Sequence, residues 1–210
     1  MRKYFDSIDH GVLKKQLARL IKDRRVLALL YGIIDSYEKT PGAGLPIGNL
    51  TSQFFANLYV SSLDHYILET LKPAAYCRYM DDMVLWHKDK QELQTALEAI
   101  DRYTGEVLHL ELKKPVVGKT AQGLPFLGFL IKSGGIYLLR KSKRRMKDRV
   151  AAIKQALADK SLTEEHAAAR LQSVYAAVAL ARTRSLRVRL WYGNGLVKDP
   201  SGLEPGYTGR

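Results

Sequence analysis

Two adjacent carboxylates, Asp81 and Asp82, lie in the run Arg78-Tyr79-Met80-Asp81-Asp82-Met83-Val84-Leu85-Trp86. Apolar stretches flank them, Ala74 to Tyr79 and Met83 to Trp86, each about long enough for one β-strand. This pattern predicts a tight β-hairpin with the pair at or beside its turn. Neighbouring carboxylates repel each other, so their pairing makes sense where a divalent cation is held. Mg²⁺ takes one or two carboxylates plus substrate phosphates and keeps several waters, which suits phosphoryl transfer. Asp also serves ordinary turns, so the pair alone fits a solvated turn as well.

Three other segments carry unusual residues. Gly44-Leu45-Pro46-Ile47-Gly48-Asn49-Leu50-Thr51-Ser52-Gln53 runs into an apolar helical stretch. Gly48 would let the backbone approach a ligand closely. Ser52 and Gln53 fall at a helix N-terminus, where Ser52 fits a helix cap and a binding role equally well. The other two are Met1-Arg2-Lys3-Tyr4-Phe5-Asp6-Ser7-Ile8-Asp9-His10 and Gly123-Leu124-Pro125-Phe126-Leu127-Gly128-Phe129.

In this order and at these separations, the four segments resemble the palm motifs of reverse transcriptases, from residue 1 to about residue 192. The string Leu45-Pro46-Ile47-Gly48-Asn49-Leu50-Thr51-Ser52-Gln53 is most similar to the enzymes of diversity-generating retroelements. Group II intron and retroviral enzymes more often carry Gln-Gly and Ser-Pro at the two ends of that motif. The resemblance implies an RNA-directed DNA polymerase working by two-metal nucleotidyl transfer, with Asp81 and Asp82 as Mg²⁺ ligands and Asp81 the surer one. It implies that Phe5 is the aromatic gate against a 2′-hydroxyl, although a core Phe at a strand end fits the residue too. Gly48, Ser52 and Gln53 would meet the nucleotide, Gln53 and Ile47 would favour error-prone copying opposite adenine, and Leu127 and Gly128 would form the primer grip. Lys113 or Lys114 could face the triphosphate, though each reads better as a solvated surface lysine. Implied partners are an RNA template, a DNA or RNA primer, dNTPs and a small basic accessory protein.

One departure stands against these matches. The family's first motif has a metal-binding Asp ahead of the gate aromatic; with Phe5 as gate, that Asp falls one position before Met1. Asp6 and Asp9 follow the gate, and Asp9 reads as a helix cap. The fingers segments of the family are also missing. The expectation is an N-terminally truncated enzyme, inactive as this chain, or else a noncatalytic nucleic-acid-binding remnant. An unrelated basic binding module with a chance Asp-Asp is remote.

Composition supports a polyanionic partner. The 210 residues are 46% hydrophobic, enough for one sizeable core, and carry a net charge of +13 with a pI near 9.8. Between Lys141 and Arg189 there are 13 Lys/Arg against 4 Asp/Glu. One cluster is Lys141, Lys143, Arg144, Arg145, Lys147 and Arg149; a second is Arg182, Arg184, Arg187 and Arg189. Read as continuous helices, these sequences put Arg145 with Arg149, and Arg182 with Arg189, on common faces suited to a phosphate backbone. The single cysteine, Cys77, rules out an internal disulfide framework and reads as a buried small side chain. No apolar run approaches the ~18 residues of a membrane span, and no signal-like segment opens the chain, so a cytoplasmic protein is expected.

Several elements must position these residues. Residues 1–5 read as a strand end, followed by a helix capped by Ser7 or Asp9 with Val12, Leu13, Leu17, Leu20 and Ile21 at 3–4 spacing. Helices follow over Val26 to Glu38, from Thr51 or Ser52, and over Lys90 to Leu108, with Phe54, Phe55, Leu58, Tyr59, Leu63, Tyr66 and Ile67 as core. Val116-Val117, Phe126 to Ile131 and Ile136 to Leu139 read as strands. Helices cover Ser142 to Lys160 and Thr163 to about Trp191. The order predicts an α+β fold, a mostly antiparallel sheet with helices on one face, followed by a helical region. By resemblance, residues 1–139 are the palm and residues 140–192 a basic thumb; the Gly- and Pro-rich stretch 193–210 reads as a disordered tail.

Overall fold

Each long helix of the N-terminal half begins at a side chain able to close its first turn. Helix α1, His10–Leu20, starts where the Asp9 carboxylate accepts from the Val12 amide at 2.8 Å. Helix α2, Arg24–Asp35, is capped by Asp23 through the amides of Arg25 and Val26. Helix α3, Leu50–Tyr59, is capped by Asn49, and α4, Ser61–His65, follows after Val60. The chain then loosens into a π-helical stretch, Tyr66–Leu71, which stops at Lys72 in the left-handed region with φ 47°. Strands β1, Ala75–Tyr79, and β2, Asp82–Trp86, form an antiparallel hairpin, and α5, Lys90–Glu106, is capped by Asp89.

In this computed structural model, which describes residues 1–192, the chain forms two compact units, Met1–Val116 and one beginning at Val117. The core of the first joins Ile8, Leu13, Leu17, Ile34, Leu45, Phe55, Tyr59, Leu63, Ile67, Ile100 and Leu108. Tyr59 ties three segments together: its hydroxyl donates to the Leu108 carbonyl at 2.6 Å and accepts from the Asp9 amide at 3.3 Å. The second unit contains a three-stranded antiparallel sheet of β3, Leu124–Phe126, β4, Phe129–Lys132, and β5, Gly135–Leu138. Helices α6, Arg140–Ala158, α7, Glu164–Ala176, and α8, Arg184–Tyr192, complete it. Met146, Val150 and Ile153 of α6 bury one stripe against Ala167, Val174 and Val178.

The fold is α+β, with differences from expectation. Instead of one sheet there are two small ones among the described residues, where no further strand pairs beside the β1–β2 hairpin. Residues Tyr4–Ser7 form a 3-10 turn rather than a strand end, entered through Lys3 at φ 40°. Val116 is solvent-exposed and neither it nor Val117 joins a strand. Cys77 is exposed, since only one face of the hairpin is covered. Phe54, expected in the core, is 61% exposed, whereas Phe55 faces inward.

The single helix expected over Thr163 to Trp191 is broken between α7 and α8. Side chain and tertiary bonds replace the helical ladder there. Thr183 Oγ1 bonds to the carbonyls of Val178 and Ala181, and the Arg182 amide donates to the Ile136 carbonyl at 2.8 Å. Residues 193–210, read as a tail, lie outside the described residues. Among the described residues, no helix is long and apolar enough to cross a membrane.

Candidate active site

The β1–β2 register pairs Tyr79 with Asp82, leaving Met80 and Asp81 as a two-residue turn. Met80 sits at φ 53°, a conformation that costs a residue with a side chain about 1–2 kcal/mol. Such a residue persists only where its surroundings hold it. Here they do. The Arg78 guanidinium donates to the Met80 carbonyl at 2.9 Å and to Asn57 Oδ1 of α3 at 3.1 Å, while Asn57 Nδ2 meets Met80 Sδ at 3.3 Å.

Arg78 is itself held by Asp64 of α4, with Nε and Nη2 contacts of 2.8 and 2.5 Å, in a two-pronged pair that is only slightly exposed. Tyr76 donates its hydroxyl to the same carboxylate at 2.6 Å. Burial lowers the Arg78 pKa, but the Asp64 hydrogen bonds and charge outweigh it and leave the guanidinium even harder to deprotonate than usual. Burial, then the Asp64 contact, push the Tyr76 phenol well above its ordinary range. Tyr76 and Arg78 lie two apart in β1 and therefore on one strand face. That period was legible in the sequence; Asp64, a lone acid in an apolar helical run, was not singled out.

Beside the carboxylates the structure places the chain's first residue. The Met1 amine lies 3.3 Å from the Asp81 carbonyl and 3.8 Å from Asp81 Oδ2. The segment after it is anchored on α3, since the Tyr4 hydroxyl donates to the Ala56 carbonyl, and Phe5 packs edge-on to Tyr4. The Phe5 carbonyl accepts from the Leu45 amide at 2.8 Å, which joins the first segment to the loop carrying Gly48. Phe5 is half-buried against the core. Lys113 Nζ stands 4.0 Å from Asp81 Oδ2, so this lysine is a carboxylate neighbour as well as a surface residue.

Gly48 adopts φ 96° in open space, and a side chain there would be strained by conformation alone. Asn49, not Ser52, caps α3: its side chain accepts from the Thr51 amide at 3.2 Å. Ser52 points inward and is buried; Gln53, next to it, is exposed. The capping explanation for Ser52 is therefore removed. Ile47 and Leu50 are 82% and 81% exposed and share this surface with Phe54.

Asp81 and Asp82 bring two carboxylates to the hairpin turn and its first flanking residue, with no group of three or more Asp, Glu, His or Cys able to hold a metal among the described residues. Hard oxygen donors of this kind fit Mg²⁺, whose remaining positions are commonly filled by substrate phosphates and water.

In the second unit, Leu127 and Gly128 form the turn between β3 and β4, with φ of 49° and 85°. Both positive angles match a type I′ hairpin turn. The turn rests on the start of α6: a Cβ on Gly128 would come within 2.9 Å of Ser142 Oγ, and the Leu139 amide donates to the Gly128 carbonyl at 3.2 Å. Lys141, Lys143, Arg144, Arg145, Lys147 and Arg149 are all exposed around the buried stripe of α6. Arg145 and Arg149 share a helix face, as expected. Arg182 and Arg189 do not, because Arg182 precedes α8 and lies over the Tyr137 ring at 5.9 Å. Arg184 and Arg189 are exposed on α8, whereas Arg187 is half-buried over Tyr175.

Comparison with known proteins identifies the family of the chain. Residues 1–131 match the family described as reverse transcriptase (RNA-dependent DNA polymerase). The chain is 26% identical over 168 residues to Protein YkfC of Escherichia coli, covering 61% of this chain and 44% of that protein. It is 35% identical over 75 residues to the Putative COX1/OXI3 intron 1 protein of Saccharomyces cerevisiae, covering 32% of this chain and 9% of that one. The chain thus spans less than half the length of these curated relatives. With the family match extending over well over half of its residues, this chain belongs to the reverse transcriptase family.

Proposed function

We propose that this chain carries the nucleotidyl-transfer centre of an RNA-directed DNA polymerase of the diversity-generating-retroelement type. Asp81 and Asp82 are its metal-binding pair, and a third carboxylate comes from the residue immediately before Met1 in a longer chain. The observation that carries this reading is the position of Met1, whose amine lies 3.8 Å from Asp81 Oδ2. A residue one step upstream starts from that point, next to the pair. Two Mg²⁺ ions held there would activate the primer 3′-hydroxyl and neutralise charge on the triphosphate.

The chain's own residues then divide the work. Lys113 balances negative charge beside Asp81; Phe5, fixed through Tyr4 and Leu45, closes the space a 2′-hydroxyl would need. Gly48 admits a nucleotide against bare backbone, and Gln53 stands on the adjoining exposed surface near Ile47. Leu127 and Gly128 hold the primer end, and the basic residues of α6 and α8 hold the phosphates of template and primer. A small basic accessory protein is a further partner of this reading.

The alternative is a noncatalytic nucleic-acid-binding remnant. It is favoured by the presence of only two carboxylates at the turn among the described residues and by Lys113 beside Asp81. Reading the DNA upstream of the Met1 codon and assaying both proteins separates the two. An in-frame Asp codon directly before Met1, with polymerisation by the extended protein and none by the 210-residue chain, is the expected result. A stop codon in that position, or vigorous templated synthesis by the 210-residue chain, contradicts it.

A further inference from the structure

Helices α7 and α8 enclose a cleft of about 290 Å³ lined by Leu171, Tyr175, Arg184, Arg187, Trp191 and their neighbours Val188 and Tyr192. Three aromatic residues and two arginines line it, with no carboxylate in the lining among the described residues. The basic character continues outward, since Lys154 of α6 lies over the Trp191 ring at 5.6 Å. The cleft is framed rigidly from one side: the Tyr175 hydroxyl donates to the Arg187 carbonyl at 3.0 Å, and the Arg187 guanidinium stacks 5.5 Å from the Tyr175 ring. Arg187 Nε is nonetheless buried without a hydrogen-bond partner among the described residues. A buried donor without a partner on a cation is costly, and here the guanidinium is sheltered by the Tyr175 ring.

We propose that this cleft is a stacking site for an unpaired nucleobase of single-stranded nucleic acid, with Arg184 and Arg187 meeting the flanking phosphate or the base edge. The aromatic and cationic parts of the lining have counterparts in that ligand. Aromatic faces stack on bases of any sequence, and arginine planes add cation–π and phosphate contacts. The volume suits one flat ring system rather than a duplex. A paired base cannot enter, so the site distinguishes single strands from duplex where the exposed lysines and arginines of α6 do not. The inference rests on the reading of this unit as a nucleic-acid-binding body, and it adds a base-dependent contact to a backbone-dependent one.

Trp86 and Trp191 are the two tryptophans of the chain, so Trp86→Phe leaves Trp191 as the sole reporter in the full-length protein. Three probes of equal length are titrated: a single-stranded oligonucleotide, an abasic strand with the same phosphates, and a blunt duplex. The expected result is saturable quenching of Trp191 emission by the first alone, while all three bind in a separate anisotropy assay. Tyr192→Ala, a 45% exposed position at the cleft, should weaken single-strand binding roughly five-fold or more, as removal of one base–aromatic stack does, and leave duplex binding unchanged. Equal quenching by the abasic strand, or an unchanged single-strand affinity in Tyr192→Ala, overturns the base site while leaving the nucleic-acid-binding reading intact. Failure of all three probes to bind overturns both.

Discussion

The position of Asp81 depends on residues that do no chemistry themselves. Asp81 shares a two-residue turn with Met80, whose left-handed backbone is held through Arg78, and Arg78 is held by Asp64. Removing Asp64 leaves a mostly buried guanidinium without its counter-ion. Asp64→Ala should therefore destabilise the first unit by on the order of 2–3 kcal/mol, somewhat below the cost for a fully buried pair. Denaturant titration reads this directly, and the double variant Asp64→Leu with Arg78→Met should recover part of the stability. An Asp64→Ala midpoint equal to that of the wild type would show that the pair is merely surface decoration.

Asp9 gives a pH-dependent prediction at the same scale. Burial raises its carboxyl pKa, but the Val12 amide and then the hydrogen bond and charge of His109 bring it net below the ordinary value. A depressed carboxylate stabilises the fold above the unfolded-state pKa of about 3.9, and that contribution fades as pH falls through the folded value. Melting curves of the wild type should drop in this acid range. Asp9→Asn keeps a capping oxygen but has no charge to lose, so its curve should drop less. Identical acid profiles would contradict this role for Asp9.

Much of this residue scale was legible in the sequence. The hairpin with Asp81 and Asp82 at or beside its turn and the Asp9 cap follow from local rules of spacing and turn chemistry, whereas the turn at Leu127 and Gly128 interrupts what reads locally as one strand from Phe126 to Ile131 and was implied only by the family resemblance. The Asp64–Arg78 clamp and the approach of Lys113 to Asp81 were not legible, because both are long-range pairings between segments whose docking no local rule sets.

Among the elements, the β3–β4 hairpin is the least comfortable. A type I′ turn favours Asn-Gly, yet Leu127 occupies the first position at φ 49° and is partly exposed. A local choice this poor signals a requirement other than folding. Leu127→Asn should raise stability by about 1 kcal/mol by relieving the left-handed leucine. In the upstream-extended protein it should also reduce primer extension if Leu127 touches the primer. Thermal melting checks the first statement; a lower melting point than wild type would mean that Leu127 is retained for packing. Gly128→Ala should cost about 1–2 kcal/mol, because φ 85° strains any side chain and the new Cβ meets Ser142 Oγ. Helix starts were readable from Asp9 and Thr163, whose side chains close the first turns. The break at residues 177–183 was not readable. The alanine-rich sequence there is a good helix former, and the bonds that interrupt it come from Thr183 and from Ile136 in the sheet.

At the scale of the whole molecule, charge and family lead to one conclusion. The net charge of +13 is concentrated in the second unit, where α6 exposes its cations around a single buried stripe. Replacing Arg144, Arg145 and Arg149 with Gln should lower the slope of log affinity against log salt by about one for each phosphate no longer neutralised. Arg144 gains little from Asp148 at 4.0 Å, since exposed pairs of that kind contribute about 0–1 kcal/mol, so it remains available to phosphate. A salt slope unchanged in the triple variant would assign nucleic-acid binding to another surface. Family membership was legible from four ordered motifs. The division into units at Val116 and Val117 was not, because it depends on how β3–β5 group with the helices rather than on any local signal.

Under the proposed function, Asp81 is a metal-binding residue of a polymerase centre completed upstream of Met1. Incorporation of dNTPs on an RNA template with Mg²⁺, by the upstream-extended protein and its Asp81→Asn variant, tests it most directly. The expected result is incorporation by the extended protein, none by Asp81→Asn, and RNA affinity within about two-fold in both, since the basic residues are untouched. Normal incorporation by Asp81→Asn would contradict the assignment.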